Sequence, residues 1–215
     1  MEMTPERWRH IGAYSKEVFG TEDDHLAGLM EEAVAAGLPN ISVGADVGRL
    51  LMILTSLTQG RLAVEVGTLG GYSGIWIARG LSPEGRLITI EYEDKHADFA
   101  EEQFIRADVD DRVEVRRGSG IDVLQELVSE LEPESVDVLF LDAIKSEYTK
   151  YFEIARPLIA RGGLVLADNV LGTGAGWIDQ GHGTDEFNRR IASDDGFEAV
   201  AVPMREGVLV ARRRG

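Results

Sequence analysis

From Arg61 onward, short apolar runs alternate with segments long enough to form helices, and this alternation restricts the fold more than any other feature. Helical segments separate the first five runs, a pattern typical of a parallel sheet covered on both faces. Only residues 203–207 separate the last two runs, too few for a crossover, so the final strand should be antiparallel to its neighbour. The runs are residues 62–66, 87–90, 113–115, 136–141, 164–167, 199–202 and 208–211, and the crossover segments are residues 72–79, 95–107, 121–131 and 147–159.

The predicted fold is therefore a doubly wound, Rossmann-like α/β sheet of seven strands, parallel except for one antiparallel strand. Residues 1–60 are expected to be helical, because Leu26, Leu29 and Ala33 recur at helical spacing, as do Val47 and Leu51. No internal repeat, low-complexity tract or linker interrupts the sequence. We therefore expect one domain over residues 1–215, with a helical part (1–60) and an α/β core (61–215).

Charge and composition exclude several classes of protein. The chain has 22 Lys and Arg against 38 Asp and Glu, a net charge of −16, which makes nucleic acid an unlikely partner. No apolar run could span a bilayer and the first residues do not form a signal peptide, so no membrane association is expected. Cysteine is absent, which excludes disulfides and thiolate zinc sites and fits a cytoplasmic protein.

Ligands of such sheets bind beyond the carboxyl ends of the strands, so the residues that follow each run are the candidates. The first run leads into a glycine-rich turn, residues 67–73, whose G-x-x-G-G spacing differs from the dinucleotide pattern and disfavours a nicotinamide-dependent oxidoreductase. Glu91 follows the second run and could accept hydrogen bonds from both ribose hydroxyls of an adenosine. Gly118-Ser119-Gly120, after the third run, could let an adenine lie against the backbone. The alternatives are an ordinary glycine turn and a solvated carboxylate.

The fourth and fifth runs end in polar residues that should open onto the same crevice. Asp142, Asp168 and Asn169 would present two carboxylates and an amide oxygen, a donor set that suits Mg²⁺, with Mn²⁺ or Ca²⁺ also possible. Lys145, three residues after Asp142, could accept the proton of a hydroxyl near such an ion. The alternatives are a turn at Asp168-Asn169 and a surface pair between Lys145 and Glu147.

Taken together, three motifs resemble those of the cation-dependent O-methyltransferases, which include catechol and caffeoyl-coenzyme A O-methyltransferases and bacterial relatives. The likeness extends from about Asn40 to the end of the chain. The motifs are Gly67-Thr68-Leu69-Gly70-Gly71-Tyr72-Ser73, Asp142-Ala143-Ile144-Lys145 and Asp168-Asn169.

This resemblance implies a class I methyltransferase that moves a methyl group from S-adenosylmethionine to a hydroxyl of a small, catechol-like or hydroxycinnamoyl acceptor. It implies metal ligation by Asp142, Asp168 and Asn169, with Lys145 as the base and Asp142 also counted among the catalytic and cofactor-binding residues. A homodimer is expected, as in related proteins. The implied cofactor contacts are Val43, Glu65, Gly67, Ser73, Glu91 and Gly120.

Two departures affect the substrate rather than the chemistry. Ile144 stands where many bacterial members have an aspartate, and the glycine-rich residues 172–177 differ from the plant enzymes. Trp177 could line the acceptor pocket, whereas His182 is expected to be exposed. Methylation of a hydroxylated tRNA uridine and non-catalytic cofactor binding are the remaining alternatives; the acidic composition opposes the first, and the complete polar set opposes the second.

Overall fold

The computed structural model describes residues 4–173, 176–177 and 183–215. Helices cover most of the first sixty residues, and strands alternate with helices from residue 62 onward. The helices are α1 (Pro5–Phe19), α2 (Asp24–Ala35), α3 (Ala45–Thr58), α4 (Tyr72–Gly80), α5 (Asp94–Arg106), α6 (Gly120–Glu130), α7 (Tyr148–Ala155) and α8 (Gly183–Ala192). The strands are β1 (Leu62–Val66), β2 (Arg86–Glu91), β3 (Val113–Arg117), β4 (Val136–Leu141), β5 (Ile159–Ala167), β6 (Gly172–Thr173), β7 (Gly176–Trp177), β8 (Phe197–Val202) and β9 (Val208–Arg213).

Within these residues, seven strands form one sheet in the order β3-β2-β1-β4-β5-β9-β8. The first five are mutually parallel, and β9 runs antiparallel to both β5 and β8. The predicted doubly wound sheet and its antiparallel final strand are thus confirmed. Strand order changes direction between β1 and β4, and the carboxyl ends of these adjacent strands are where this fold binds ligands.

Helices cover both faces of the sheet, because successive strand residues point to opposite sides. Ala63 packs with helices α2 to α5 on one face, whereas Val64 packs with α6 to α8 on the other. On the first face α3 and α4 approach closely at Gly48, where a Cβ atom would overlap the Trp76 ring. Trp76 is buried and fills the space that Gly48 leaves.

The helix predicted within residues 147–159 occupies only part of that segment. Helix α7 covers Tyr148–Ala155, and a 3₁₀ turn at Arg156–Leu158 leads directly into β5. Pro157 accounts for this end, since proline lacks the amide hydrogen that a continuing helix would need. Helix α8 and the two-residue strands β6 and β7 were not predicted.

An ion-pair cluster ties the end of α7 to the end of α8. Asp194 accepts hydrogen bonds from Arg156 Nε and Nη2 at 2.8 and 2.9 Å, from Arg190 Nη1 at 2.9 Å and from the amide of Gly196 at 2.9 Å. Hydrogen bonding from Arg156 holds the pKa of the Asp194 carboxyl well below its ordinary value, although burial opposes this. The cluster lies at the opposite end of the sheet from the carboxyl ends of β1 and β4.

None of the helices in the described ranges is both long and apolar enough to cross a bilayer.

Candidate active site

A cavity of about 790 Å³ lies at the carboxyl ends of the five parallel strands. Because the strand order is β3-β2-β1-β4-β5, the residues that follow these strands line it in the same sequence. From one side to the other they are Gly120, Glu91, Gly67, Asp142 and Asp168. The sheet therefore brings together nine of the ten residues singled out from the sequence, the exception being Glu65.

The turn after β1 leaves no room for a side chain at its first glycine. The Gly67 amide donates to the carbonyl of Ile90 at 3.0 Å, which continues the ladder between β1 and β2. Gly67 has φ of +104°, and a Cβ atom there would overlap the main-chain oxygen of Asp142. Glycine is thus required by backbone conformation and by this close approach. The backbone of the glycine turn rests directly on the start of the acidic segment.

Glu65 lies beneath this turn and does not line the cavity. Its carboxylate is fully buried and accepts hydrogen bonds from Ser73 Oγ and Thr89 Oγ1, each at 2.6 Å. Burial raises the pKa of Glu65 to about 7, although both hydroxyl groups lower it. The structure therefore places Glu65 behind the cavity wall, where it fixes Ser73, and Ser73 itself lines the cavity.

The Glu91 carboxylate is held at the end of β2 by backbone amides. It accepts from the amide of Leu69 at 2.8 Å and from that of Glu93 at 3.0 Å, and His96 Nδ1 lies 3.5 Å away. The side chain is almost fully buried yet borders the cavity. The alternative of a solvated strand-end carboxylate does not describe this environment.

Gly120 and Val43 complete the walls at this end. A Cβ atom at Gly120 would lie 2.7 Å from Val66 Cγ1 and 2.8 Å from Tyr151 Cε1, so the cavity wall here is bare backbone. Gly120 is the first residue of α6, which Ser119 caps by accepting from the amide of Asp122 at 3.1 Å. Val43 is buried on the loop between α2 and α3 and faces the cavity.

The carboxylates of Asp142 and Asp168 lie at adjacent strand ends. The amide of Asp142 donates to Val66 at 2.9 Å and that of Asp168 donates to Leu141 at 3.0 Å, so both residues extend the sheet by one position. Asp168 is buried, and within the described part of the chain its Oδ1 has no hydrogen-bond partner. Burial, and then the charge of Asp142, raise the pKa of Asp168.

Lys145 is held between Asp142 and a tyrosine that sequence reasoning missed. Its Nζ lies 2.6 Å from Asp142 Oδ1 and 2.8 Å from Tyr148 Oη, rather than beside Glu147, which instead accepts from Tyr151. The Tyr148 hydroxyl is buried within 3.0 Å of the Leu141 carbonyl and 3.2 Å of the Asp168 carbonyl. One hydroxyl therefore contacts the lysine and both acidic strand ends.

The side chains of Asp142, Asp168 and Asn169 would offer oxygen atoms to a divalent cation at this end of the cavity. Across the described ranges, no group of three or more His, Cys, Asp or Glu side chains is arranged to hold a metal ion. The set predicted from sequence has two carboxylates and the amide of Asn169, a residue with φ of +59°. The unpartnered Asp168 Oδ1 and the adjacent carboxylates fit a hard cation, which would supply the missing partner and offset the repulsion.

Three further residues concern the acceptor side of the cavity, and Arg205 among them was not predicted from the sequence. His182 and the side chain of Trp177 lie outside the described part of the chain. Arg205, on the turn between β8 and β9, borders the cavity and donates from Nη1 to the Ser42 carbonyl at 3.0 Å. Nothing in the sequence around Arg205 distinguishes it from an ordinary turn residue.

Comparison with known families decides the relationship. A family model described as O-methyltransferase matches residues 15–214. The chain belongs to this family. The resemblance inferred from the three motifs is thereby confirmed at family level.

Relatives of this family match over most of their length. A catechol O-methyltransferase of Niastella koreensis is 36% identical over 208 residues, covering 94% of this chain and 93% of the relative. A catechol O-methyltransferase of Mycobacterium tuberculosis is 36% identical over 197 residues, covering 89% and 87%.

Solved structures of the family share the fold. An O-methyltransferase of Streptomyces achromogenes involved in tomaymycin synthesis, solved with S-adenosylmethionine, superposes with a TM-score of 0.86 at 33% identity over 100% of both chains. An O-methyltransferase of Bacillus cereus, solved with S-adenosylhomocysteine, gives a TM-score of 0.85 at 34% identity, covering 97% and 99%.

Proposed function

We propose that this chain transfers the methyl group of S-adenosylmethionine to a hydroxyl of a catechol-like or hydroxycinnamoyl acceptor, with the assistance of a divalent cation. The observation that supports this most is the order of residues along the cavity. Nucleoside-binding features follow β2 and β3, the glycine turn follows β1, and the acidic residues follow β4 and β5. Neighbouring strands lie about 4.8 Å apart. The ends of β2 and β4, which are two positions apart in the sheet, are therefore separated by roughly the length of a nucleoside.

The cofactor end suits the three parts of S-adenosylmethionine, which supplies the methyl group as a sulfonium. Gly120 would leave space for the adenine, and Glu91, already fixed by two backbone amides, would accept from the ribose hydroxyls. Gly67, Ser73 and Val43 would enclose the methionine part. Glu65 would act indirectly, because its carboxylate holds the Ser73 hydroxyl from behind.

At the acceptor end, Asp142, Asp168 and Asn169 are the residues we assign to hold the cation. A bound divalent cation fixes vicinal oxygens of a diol and lowers the pKa of the hydroxyl that reacts. The protein must then align that oxygen with the sulfonium methyl at a separation of about 3–3.5 Å. The contact of the Gly67 turn with Asp142 would set the distance between the cofactor and the acceptor.

Lys145 is the residue that we assign to remove the proton of the reacting hydroxyl at Nζ. Its amine borders the cavity beside Asp142, and contact with the Tyr148 hydroxyl fixes its position.

The test is turnover of catechol with labelled S-adenosylmethionine, with Mg²⁺ or with chelator, in the wild type and two variants. We expect chelator to abolish turnover while calorimetry still detects cofactor binding. Asp168→Ala should reproduce the effect of chelator. Lys145→Ala should bind cofactor normally and lose roughly 10²–10⁴ in rate, as expected for a missing general base.

Three results would contradict the proposal. Full activity in chelator would exclude the cation, and a wild-type rate in Lys145→Ala would exclude the base. Binding of NAD in place of S-adenosylmethionine would exclude methyl transfer altogether. A Glu91→Ala variant adds a check on the cofactor end, where we expect binding to weaken by about 1–3 kcal/mol, as for loss of a charged hydrogen-bond acceptor.

A further inference from the structure

A second cavity of about 750 Å³ lies beside the first. Helix α1 forms one wall and α2 the other, and the turn between β8 and β9 closes one end. The two cavities are adjacent, since six residues border both of them. These are Asn40, Ser42, Val43, Tyr72, Arg205 and Glu206.

The inner surface of this second cavity, here called the α1 groove, is mainly apolar. Helix α1 contributes Trp8 and Ile11, and α2 contributes Leu26 and Met30. No residue of α1 is fully buried, and Ile11, which borders the groove, is 47% exposed. Such a surface beside a reaction site is typical of ligand pockets.

The charged groups around the α1 groove balance one another. The cations are Arg9, Lys16 and Arg205, and the carboxylates are Glu22, Asp46 and Glu206. Two of the carboxylates are already engaged, because Glu22 accepts from the Tyr72 hydroxyl at 2.5 Å and Asp46 accepts from the Val47 amide at 3.0 Å. A balanced rim gives no preference for a strongly charged occupant.

We propose that the α1 groove is a subsite for the end of the acceptor remote from the reacting hydroxyls, and that it selects acceptors bearing an uncharged apolar extension. This rests on the proposed function, because it takes the ring to react beside Asp142 and Lys145. The first cavity must hold both the cofactor and the reacting ring. A substituent that extends from the ring past Ser42 and Arg205, which border both cavities, would enter the groove.

Glycine positions in α1 and α2 provide a matched pair of variants. Gly12 borders the α1 groove and Gly28 does not, yet both lie within helices and a Cβ atom at either would meet nothing within 4 Å. Gly12→Leu should fill the groove without strain. Gly28→Leu makes the same change in size and helix propensity away from it.

The acceptors are catechol and catechol with a linear six-carbon chain at position 4. In the wild type we expect the alkylated acceptor to have the higher kcat/KM by roughly tenfold or more, since burial of even two methylene groups accounts for such a factor. Gly12→Leu should remove this advantage and leave catechol turnover unchanged. Gly28→Leu should preserve both values.

Equal kcat/KM for the two acceptors in the wild type, or an unchanged preference in Gly12→Leu, would overturn the subsite while leaving the proposed function intact. Calorimetric binding of the alkylated catechol to the complex with S-adenosylhomocysteine tests the groove without turnover. Weaker binding in Gly12→Leu alone supports the subsite, and equal binding in all three proteins refutes it. Failure of every protein to methylate either acceptor would refute the proposed function instead.

Discussion

Replacing Glu65 with glutamine should make the protein's stability less sensitive to pH in a defined direction. The carboxyl group has an ordinary pKa of 4.5, and burial raises it to about 7 in the folded protein. The folded state therefore retains a proton between these pH values that the unfolded chain has released. Folding becomes less favourable as the pH rises through this window, and the effect is complete above pH 7.

The magnitude follows from the size of the shift. Each pKa unit corresponds to about 1.4 kcal/mol, so wild-type stability should fall by about 3 kcal/mol relative to Glu65→Gln between pH 4.5 and pH 7.5. Glutamine has nearly the same shape and can still bond to the Ser73 and Thr89 hydroxyls after they rotate. The variant should therefore retain the fold while losing the titration.

Urea unfolding of both proteins at intervals of one pH unit, followed by tryptophan fluorescence, measures this difference directly. Effects of titrating groups that do not interact with Glu65 cancel in the comparison. Glu84→Gln provides the control, because that side chain is 82% exposed and its substitution removes the same charge without burial. A stability difference that stays constant with pH, or one that Glu84→Gln reproduces, would refute the assignment of the titration to burial at Glu65.

Four further predictions concern other parts of the chain. Gly67→Ala should lower stability by about 2–4 kcal/mol in urea unfolding, through its positive φ and the clash with a facing carbonyl, whereas Gly28→Ala should be neutral or stabilising. Asp194→Asn should lower the free energy of unfolding by about 1–3 kcal/mol at pH 7 and by less at pH 3, because the lowered pKa of the Asp194 carboxyl stabilises the fold fully only above its ordinary value. An equal loss at both pH values would contradict this. Tyr148→Phe should lower kcat with unchanged cofactor affinity, and should have no further effect in a Lys145→Ala background; additive losses would show a purely structural role. We also propose a homodimer, which light scattering should report as twice the 23.5 kDa of the chain; a monomer would refute it.

Sequence patterns predicted the sheet because β1, β2, β4 and β5 bury most of their residues and therefore read as apolar runs. The direction of β9 was predictable for a simpler reason, since a turn of a few residues can only reverse the chain. Helix α1 buries no residue, so no core contact fixes its bounds within the helical residues 1–60. The short strands β6 and β7 pair through glycine-rich backbone, which leaves no side-chain pattern to detect.

The site was predictable wherever a residue follows a parallel strand, because strand ends meet at one edge. Glu65 shows the limit of that rule, since it lies within β1 and faces α4 rather than the cavity. Tyr148 was missed because its role depends on contacts with Lys145 and with two carbonyls brought together by the fold. Arg205 reaches the cavity from a turn far along the sequence, and only the three-dimensional structure places it there.

The close contact between the Gly67 turn and the main chain of Asp142 has a consequence for engineering. A side chain at Gly67 would overlap the main-chain oxygen of Asp142, so a library that varies this position should yield mostly inactive proteins. Helix α1 carries no such constraint, since a Cβ atom at Gly12 would meet nothing within 4 Å. New acceptor preferences should be obtained by diversifying α1 while the centre of the site is kept fixed.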